Sequence, residues 1–536
     1  MTSNRFTKSA TEGAQQLLFE LAAMKIKNYN RLNKIKRRSA NKNKAGMISN
    51  AELLNLYRRL IKQNKIKQNK DLEKLLQKRK IRTLSGVAPV AVLTKPFPCP
   101  GKCAYCPDEK NMPKSYLSNE PAVMRAIAAR FNPFIQVKSR LRALENNGHA
   151  TDKIELIIMG GTWSYLPRQY QKWFVKRCFD ACNSKTSKNI RQAHKLNEKA
   201  KHRIVALTLE TRPDYIDAEE IKYWRELGAT KVELGVQIAD DKILKLNKRG
   251  HGTGEIIRAT KLFKQTGFKV AYHLMPNLPG ATPAKDLQNF KKLFTNQDFQ
   301  PDLIKIYPTV VTKNSLLFKW WKQGKYKPYT DKQLLDLLFQ LKLSTPEYVR
   351  IIRLIRDIPK ESIEAGNLVS NLRQTLQTKL KAEGKWCKCI RCREAREDIK
   401  NLSQAKLFTK KYQASDASEY FLQFASPNKK KLYAFLRLRL PEKSEQNIIK
   451  EIQDCAMIRE VHTYGRLVSL AQSKSVIRTS IQHTGLGTKL THEAEMIARK
   501  KGFKKIAVIS GIGVRGFYRK LGYKLEGTYM TKKLIS

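Results

Sequence analysis

Short apolar runs alternate with helix-like stretches through the middle of the chain, from about residue 81 to residue 375. These runs have the length and composition of buried strands, and several of them end in Gly, Glu, Gln or Tyr. Strands that alternate with helices predict a parallel α/β barrel or sheet, in which chemistry takes place at the carboxyl ends of the strands. The predicted strands are Val87–Leu93, Ile154–Gly160, Ile204–Glu210, Lys231–Gln237, Lys269–Leu274, Leu303–Tyr307 and Tyr348–Arg356.

The end of the chain, from about residue 411 to residue 536, has a different order of elements. Strands come first, followed by one long helix, a further strand and a short helix. This order predicts a second, compact α/β domain. The predicted elements are strands at Tyr420–Ala425, Lys431–Leu438 and Val461–Leu470, a helix at Gly487–Lys500 and a strand at Lys505–Ser510.

Two further regions differ from these domains in composition. Residues 1–80 are rich in Lys, Arg and Asn, with helical stretches such as Ala51–Ile61. They fit either a basic helical arm that binds phosphates or a merely solvated arm, and we favour the first. Residues 376–410 are a short, charged linker with three cysteines. The expected organisation is an arm at 1–80, a first domain at 81–375, the linker at 376–410 and a second domain at 411–536.

The net charge indicates the kind of partner. The chain has 105 Lys and Arg residues but only 46 Asp and Glu residues, which gives a formal charge of +59. Such a charge attracts polyanions, and neutralising phosphates releases counterions, so nucleic acid is the expected partner. A membrane surface is the alternative, and a Lys-rich genome would raise the charge without any partner. No stretch has the roughly 18 consecutive apolar residues of a spanning helix. The first residues lack the apolar core of a secretory signal, so we expect a cytoplasmic protein that binds no membrane.

Three cysteines lie directly after the first predicted strand, in PCPGKCAYCP. Their spacing, CxxxCxxC, is the signature of radical S-adenosylmethionine (SAM) enzymes, in which three thiolates hold a [4Fe–4S] cluster and the fourth iron stays open for the cofactor. A zinc site would need a fourth ligand nearby, and none is evident in the sequence. The next predicted strand ends in MGGT, which resembles the glycine motif that contacts SAM. The expected ligands are Cys99, Cys103 and Cys106, and the expected SAM contacts are Gly160, Gly161 and Thr162.

A glycine-rich sequence, QHTGLG, opens the predicted helix of the second domain. It matches the Q/R-x-x-G-x-G/A loop of the GNAT acetyltransferase superfamily, whose glycines let backbone N–H groups approach the pyrophosphate of acetyl-CoA at a helix N-terminus. Such a loop is weak evidence alone, but here a helix and then a strand follow it, as that fold requires. Tyr518 lies in GFYRKLGY, where such enzymes commonly place a Tyr near the acetyl-CoA sulfur. The loop residues expected to contact acetyl-CoA are Gln482, Gly485 and Gly487.

With both signatures in this order, the chain resembles the catalytic subunit of Elongator and its bacterial and archaeal relatives. The resemblance covers nearly the whole chain after about residue 85 and includes EPAVMRAIAARFNP, LTLETRPDY, ELGVQ, KIYPT, IREVHTYG and GIGVRGFYRKLGY. It implies an α/β protein with a partial TIM-like radical SAM (β/α) barrel, a zinc-binding linker and a GNAT domain. It also implies an enzyme that makes 5-carboxymethyluridine at the wobble position of tRNA.

The resemblance assigns roles to individual residues. Lys153, in TDKIELIIMGG, falls on an acetyl-CoA contact of the radical SAM domain, and Lys153 and Tyr518 are the expected catalytic residues. Phe517 stands where many members of the family have the first of two tyrosines, so the role of that first hydroxyl is in doubt here. The other acetyl-CoA contacts fall on Glu460, Val461, His462, Thr463, Leu486, Gly487 and Thr488.

Cys387, Cys389 and Cys392, in WCKCIRCRE, resemble the zinc-binding linker of the same family. Thiolates this close together suit a tetrahedral structural zinc ion. The local sequence offers no fourth ligand, which Cys455, a His or an acidic residue would have to supply.

In the mechanism that the resemblance implies, a 5′-deoxyadenosyl radical from SAM takes a hydrogen atom from the acetyl methyl group of acetyl-CoA, and the carbon radical adds to C5 of uridine. Later oxidation and thioester hydrolysis leave a carboxymethyl group. The basic surface would hold the tRNA and present a splayed-out base. An electron donor is required, and accessory subunits or a homodimer are both compatible with the family.

Two other functions were weighed. A protein lysine acetyltransferase would use only the second domain and leave the first cysteine triad and the charge without a purpose. The intact triad also argues against a non-catalytic tRNA-binding scaffold. Lys305 and Tyr307 are candidates for the uridine site, and Cys178 and Cys182 are expected to be buried packing residues. An ion-pair network explains the polar residues at strand ends as well as cofactor contacts do; these residues are Glu210, Arg212, Asp214, Glu233 and Gln237.

Overall fold

The chain begins with a group of helices that has its own apolar core. A computed structural model describes residues 8–24, 26, 28–43, 46–77, 85–369, 371–396, 402–442, 445–465 and 485–534. Leu53, Leu56, Tyr57 and Leu60 recur on one face of the third helix and are buried, which is the pattern of an amphipathic helix against a core. The helices are α1 (Lys8–Ala23), α2 (Tyr29–Lys42), α3 (Asn50–Lys62) and α4 (Lys70–Leu76).

A sheet of seven parallel strands follows, paired in the order of the sequence from β1 to β7. Because all seven strands run the same way, the loops that leave their carboxyl ends share one rim of the sheet. The first and last strands are not paired with each other, so the sheet is a partial barrel with an open side. The strands are β1 (Ala88–Leu93), β2 (Lys153–Met159), β3 (Arg203–Thr211), β4 (Lys231–Gln237), β5 (Lys269–Leu274), β6 (Leu303–Ile306) and β7 (Arg350–Arg353).

Helices cover the outside of this barrel and bury their apolar sides against the strands. Trp224, Phe263 and Phe268 lie together in this layer, with ring centroids 5.1–6.4 Å apart. The helices are α5 (Pro121–Ala128), α6 (Pro133–Asn146), α7 (Arg168–Asn183), α8 (Ile190–Asn197), α9 (Ala218–Glu226), α10 (Asp241–Leu246), α11 (Thr253–Gln265), α12 (Pro283–Thr295), α13 (Leu316–Lys322) and α14 (Asp331–Ser344).

Two helices lead from the barrel to a second seven-stranded sheet, whose order is β13-β14-β12-β11-β10-β9-β8. In this sheet β11 and β12 are parallel and the other pairs are antiparallel. The linker helices are α15 (Leu372–Ala382) and α16 (Ile390–Arg393). The second domain contains β8 (Lys406–Gln413), β9 (Ala417–Ala425), β10 (Leu432–Pro441), β11 (Ala456–Thr463), α17 (Leu486–Lys500), β12 (Lys505–Val508), α18 (Arg515–Lys520), β13 (Lys524–Glu526) and β14 (Tyr529–Lys533).

The central strands of the second sheet, β9 and β10, are buried on both faces. One face packs against α17, where Leu436, Ile458 and Leu490 share a core. Residues of the other face, including Phe435 and Met457, belong to the apolar core of the barrel. The two domains therefore share one continuous core.

The second domain covers the end of the barrel at which the strands begin. A Cβ atom on Gly511 would lie 2.0 Å from the carbonyl oxygen of Val205, and one on Gly513 would lie 2.5 Å from Cβ of Arg203. Both contacts are to the first residues of β3, so only glycine lets the two backbones approach this closely. His462 of β11 hydrogen-bonds the carbonyl oxygen of Ser85, just before β1, at 2.8 Å.

The predicted strands agree with the observed ones to within a few residues, with one exception, and β8, β13 and β14 were not predicted. The strand predicted at Val461–Leu470 is wrong in its position, because β11 begins at Ala456 and ends at Thr463. Residues 466–470 lie outside the described part of the chain. Among the described helices, none is both long enough and apolar enough to cross a membrane.

Candidate functional site

The first cysteine triad lies in the loop that leaves the carboxyl end of β1. The N–H of Thr94 donates to the carbonyl oxygen of Met159 at 3.0 Å, which ties the start of this loop to the end of β2. Gly160, with a φ of +140°, follows; a Cβ atom there would lie 1.9 Å from the Thr94 hydroxyl oxygen. Glycine at this position therefore lets the cysteine loop and the MGGT loop run side by side.

Positive charge surrounds the sulfur of Cys103. Arg249 donates to this sulfur at 3.3 Å, and Arg212 approaches it at 3.8 Å. A hydrogen bond from Cys106, together with these guanidinium groups, lowers the pKa of Cys103 to about 4. Because thiolates, rather than thiols, bind iron, this environment fits the ligand set of a [4Fe–4S] cluster.

The other ligands and the glycine motif meet at the same place. The N–H of Gly101 donates to the sulfur of Cys99 at 3.4 Å, and the Thr162 hydroxyl lies 3.9 Å from that sulfur. Gly161 and Thr162 line the cavity in front of the cysteines, whereas Gly160 is not on its wall. Gly160 therefore acts through the close approach of the two loops.

In the second domain, two strands diverge at the predicted acetyl-CoA site. β11 pairs with β12 only over Ala456–Ile458, so the backbone from Glu460 onward leaves its neighbour. The exposed stretch lines the cavity with four consecutive residues, Glu460, Val461, His462 and Thr463. An opened strand edge offers unpaired N–H and C=O groups to an extended ligand, which suits the pantetheine arm of acetyl-CoA.

The glycine loop faces this opened edge from the start of α17. Gly485 has a φ of +76° and is the N-cap of the helix. A Cβ atom on Gly487 would lie 3.7 Å from the side chains of Phe517 and Thr463, so a larger side chain would fill the gap between helix and strand. Gly485, Gly487 and Thr488 line the cavity, whereas the Leu486 side chain is buried in the core, so its backbone alone is available for contact. The predicted contact Gln482 lies outside the described residues.

Tyr518 is buried beside this loop, and burial raises the pKa of its phenol. Its ring packs edge-on against Phe517 and Tyr523, with centroids 5.1 and 5.7 Å away. Tyr518 lines the cavity as a neutral phenol, a group that can donate a hydrogen bond or a proton.

One cavity of about 2360 Å³ joins the cysteine triad to the predicted acetyl-CoA site. It runs along the inside of the partial barrel, from Lys153 and Arg203 at the beginnings of strands to Cys99 and Thr162 at the rim. From Lys153 to Met159, β2 spans about 20 Å, which sets the distance between the two ends. Burial, with the positive charge of Arg203, lowers the pKa of Lys153 at the lower end.

The middle of the cavity is lined by alternating charges. Glu233 forms an ion pair with Lys305, lies 3.4 Å from Lys231 and 3.1 Å from Nε2 of His273. Burial disfavours the carboxylate, but these cations hold the pKa of Glu233 well below its usual range. Tyr307 stacks edge-on against His273, with centroids 5.5 Å apart. Lys305 and Tyr307, the candidates for the uridine site, therefore belong to one buried network.

Buried ion pairs hold the two domains together next to the acetyl-CoA edge. Arg459 of β11 donates to Asp302, the residue before β6, at 2.9 Å. Arg437 of β10 lies 3.6 Å from Asp302 and donates to Glu460 at 2.9 Å. Lys269 of the barrel lies 3.8 Å from Glu460 on its other side. The position of Glu460 therefore depends on both domains.

The second cysteine triad is compact and buried in the linker. The sulfurs of Cys387, Cys389 and Cys392 all lie within 4.8 Å of one another. A tetrahedral zinc ion places its sulfur ligands about 3.8 Å apart, so the triad fits such an ion. The ammonium of Lys342 donates to Cys392 at 3.4 Å. Within the described part of the chain, no fourth His, Cys, Asp or Glu atom completes this group, and Cys455 instead lies near the carbonyl oxygen of Glu451.

Comparisons with known proteins identify the family of the chain. A model of the radical SAM superfamily matches residues 98–293, and one of the radical SAM C-terminal domain matches residues 301–382. The tRNA uridine(34) acetyltransferase of Methanocaldococcus infernus is 46% identical over 87% of this chain and 89% of its own length. Elongator complex protein 3 of Homo sapiens is 36% identical over 94% of this chain and 93% of its own length. The chain belongs to the Elongator complex protein 3 family.

A solved structure of an Elongator complex protein 3 family member supports the fold directly. Archaeal Elp3 of Methanocaldococcus infernus, with residues 1–46 deleted, has a TM-score of 0.73 and 42% identity, and the match covers 84% of this chain and 99% of that one. The predicted family and the α/β fold with a partial radical SAM barrel are therefore confirmed. The radical SAM domain implies a [4Fe–4S] cluster and SAM.

One residue of the cluster environment was missed by the sequence analysis. Arg249 lies in NKRGHGTGE, a loop without a recognised motif, and its side chain crosses to Cys103 only because the loops after β1 and β4 share a rim. Arg212 and Asp214 were left open between an ion pair and cofactor contacts. They form that ion pair, at 2.7 Å, while Arg212 also approaches Cys103.

Proposed function

We propose that this chain is a tRNA-modifying enzyme that uses SAM and acetyl-CoA to install a carboxymethyl group at C5 of the wobble uridine of tRNA. The observation that carries the proposal is the single cavity with the cysteine triad at one end and the acetyl-CoA edge at the other. Relatives that are 43–46% identical are named tRNA uridine(34) acetyltransferase, which gives the substrate and the position. We propose the cytoplasm as its compartment on the basis of that substrate.

The radical end is built from the cysteine loop and its neighbours. When bound, the [4Fe–4S] cluster and SAM supply a carbon-centred radical that removes a hydrogen atom from an unactivated carbon. Cys99, Cys103 and Cys106 hold the cluster, and Arg212 and Arg249 offset the negative charge of the thiolates. Gly161 and Thr162 form the wall on which SAM rests.

The acetyl-CoA end is built from α17, β11 and Tyr518. The N–H groups at the start of α17, around Gly485 and Gly487, receive the pyrophosphate, because a helix N-terminus favours an anion. The open edge of β11 receives the pantetheine arm, which then points toward the barrel. Tyr518, held neutral by burial, donates a hydrogen bond to the sulfur or the thioester carbonyl.

The lumen of the barrel is the route by which the acetyl group reaches the radical end. Pro89 and Ala91 give β1 a wall of small side chains on the cavity. Lys153 lies at the lower mouth of this route, where an ammonium group can orient the thioester or the pantetheine amide.

The tRNA is held by positive charge. The formal charge of +59 and the exposed bases of α2, among them Lys34, Arg38 and Lys42, offer many phosphate contacts. The splayed-out uridine would enter the cavity. The proposed enzyme would work with partner subunits or with a second copy of the chain. In the linker, the compact cysteine triad would hold a structural zinc ion.

The two alternative functions explain less of the structure. A lysine acetyltransferase needs an acceptor site open to a protein substrate, whereas here the acetyl-CoA edge leads into the barrel. A scaffold without chemistry does not need the buried guanidinium groups at Cys103.

An anaerobic assay with tRNA, SAM and acetyl-CoA, read by nucleoside mass spectrometry, tests the proposal. Carbon-13 in the acetyl methyl group should appear in 5-carboxymethyluridine. Changing Cys99, Cys103 and Cys106 to Ala should remove both the cluster iron and the product, while the matched change of the buried Cys178 to Ala should leave both. Acetylated protein without modified nucleoside would favour the lysine acetyltransferase, and no product of either kind would favour the scaffold.

A further inference from the structure

Five aromatic rings, two of them exposed and three half-buried, lie on the outer wall of the barrel beside the cysteine loop. Phe97 packs on Tyr170, and Tyr170 on Trp173, with ring centroids 4.9 and 5.6 Å apart. Tyr165 packs edge-on against Tyr215 at 5.7 Å. Tyr165 is 46% and Trp173 is 44% exposed. We call these five residues the aromatic patch; exposed apolar surface of this kind marks a contact site more often than chance.

The cavity does not account for the aromatic patch. All five residues lie among the described ones, and none of them is on the cavity wall. The proposed sites for SAM, acetyl-CoA and uridine therefore do not include these five rings.

The aromatic patch lies directly behind the cluster ligands. Phe97 is two residues before Cys99 in the sequence. The guanidinium of Arg212 lies 5.9 Å from the centre of the Tyr215 ring and 3.8 Å from the sulfur of Cys103. A chain of contacts therefore runs from Tyr165 at the surface, through the Tyr215 ring and the Arg212 guanidinium, to the cluster ligand Cys103.

The border of the aromatic patch is basic. Residues 163–183 contain four Lys and Arg residues and one acidic residue, which is buried and pairs with two of them. The ammonium of Lys95 lies 5.0 and 5.3 Å from the ring centres of Phe97 and Tyr170. Lys95, Arg168 and Lys172 are exposed. A partner that binds here by complementary charge must carry an acidic surface.

We propose that the aromatic patch and its basic border are the docking site of a small, acidic electron-carrier protein with a reduced flavin or iron–sulfur centre. On docking, the carrier loses one electron and the oxidised [4Fe–4S] cluster gains it, with no bond made or broken. The inference rests on the proposed function, since only a radical SAM reaction needs this electron.

RNA is also acidic and stacks on aromatic rings, but the geometry favours a protein. The basic helices α1–α4 dock at the other end of the barrel, where Arg58 donates to the carbonyl oxygen of Glu145 at 2.7 Å and Gln77 to that of Gly148 at 3.1 Å. Both contacts lie just before the start of β2. The aromatic patch lies instead at the carboxyl ends of the strands, behind the cluster.

The test uses the full chain with its cluster and a reduced, acidic flavodoxin as the probe. Two variants change exposed side chains only, Lys172→Glu and the double variant Lys172→Glu with Trp173→Ser. The matched control is Lys188→Glu, an exposed lysine beyond the other end of α7. Cluster reduction is followed by the loss of its visible absorbance in a stopped-flow instrument. Binding of oxidised flavodoxin to the protein without cluster is measured separately by fluorescence anisotropy.

Both variants should be reduced by flavodoxin about tenfold or more slowly at low salt and should bind it more weakly, with a smaller dependence on salt. Reduction by dithionite should be unchanged, which shows that the cluster is intact, and the Lys188→Glu control should behave as the unmodified protein. Equal reduction rates and equal flavodoxin binding in all variants would overturn the proposal. So would a loss of tRNA affinity with unchanged reduction, because the patch would then be an RNA surface. Formation of modified uridine with dithionite tests the proposed function independently of this surface.

Discussion

The guanidinium of Arg459 donates to the carboxylate of Asp302 at 2.9 Å, and neither side chain is exposed. Arg459 belongs to the strand that carries the acetyl-CoA edge, and Asp302 is the residue before the sixth strand of the barrel. Lys264 lies 3.6 Å from the same carboxylate, and burial lowers the pKa of this lysine to about 8. A group of buried charges thus fixes the acetyl-CoA edge relative to the radical domain.

Removing the Asp302 carboxylate should be costly, because it leaves the buried cations Arg459 and Lys264 to share the single carboxylate of Glu419. For Asp302→Ala we expect the free energy of unfolding in denaturant to fall by about 3–5 kcal/mol. The matched control is Asp336→Ala, which removes a solvent-exposed pair with Lys379; it should cost much less, because water screens such a pair. Equal losses in the two variants would contradict a structural role of the buried group.

Gly487 should be needed for acetyl-CoA and not for folding. A Cβ atom there meets its neighbours only at ordinary contact distances of 3.7–3.8 Å, so Gly487→Phe should fold but fill the gap in which the pyrophosphate lies. We expect acetyl-CoA affinity, measured by calorimetry, to fall about 100-fold while iron content stays the same. Gly254→Phe is the control, since a Cβ atom on Gly254 has no neighbour within 4 Å. Full acetyl-CoA affinity of Gly487→Phe would place the coenzyme elsewhere.

Ala91 lies on the cavity wall between the two ends, so a large side chain there should separate them. In Ala91→Phe, acetyl-CoA binding and cleavage of SAM should both persist, but 5-carboxymethyluridine should fall at least about tenfold because the acetyl group no longer passes. Nucleoside mass spectrometry measures the product, and Ala91→Ser serves as the conservative control. If the Phe variant makes as much product as the Ser variant, the lumen is not the route.

His194 should make the fold less stable in mild acid. Burial, with a contribution from Arg515, lowers the pKa of His194 to about 3 from a usual value of 6.5. Below about pH 6.5 the unfolded chain therefore takes up a proton that the folded chain does not, so stability falls as the pH falls toward 3. At about pH 5.5 this one group should account for a loss of about 1.4 kcal/mol relative to neutral pH.

Denaturant unfolding near pH 7.5 and near pH 5.5 measures this loss. His194→Gln keeps a donor for the carbonyl oxygen of Leu227, which His194 contacts at 3.2 Å, but does not titrate. The variant should lose about 1.4 kcal/mol less than the unmodified protein between the two pH values. An identical pH dependence would show that His194 does not titrate far below its usual range.

The basic helices should carry a large share of the affinity for tRNA. Lys34, Arg38 and Lys42 are exposed and lie one turn apart on one side of α2. Changing all three to Glu should weaken tRNA binding about tenfold or more at low salt and flatten its salt dependence, because fewer counterions are released. Lys332→Glu, an exposed change on α14, is the control for net charge. Filter-retention binding at several salt concentrations measures this. If the affinity of the triple variant falls with salt as steeply as that of the unmodified protein, α2 is merely solvated.

The local sequence predicted the strands and the functional loops of this protein better than the contacts between residues that are distant in the sequence. The apolar runs gave strands such as Lys231–Gln237 at their observed bounds, since buried strands need little beyond apolar residues of the right length. The strand predicted at Val461–Leu470 failed because β11 begins with Ala456 and Met457, in a stretch that follows charged residues and lacks alternation. The contact between Arg249 and Cys103 joins residues 146 positions apart. Only the closure of the barrel brings them together, so no spacing rule could have found it.

The shared core of the two domains limits how the chain can be divided. Phe435 and Met457, on the face of the second sheet that meets the barrel, are buried in the apolar core of the barrel. A cut within the linker would therefore give two fragments with large bare apolar faces, each a candidate for aggregation. The acetyltransferase-like half thus covers the base of the barrel, and its loss would expose that end of the cavity to bulk water.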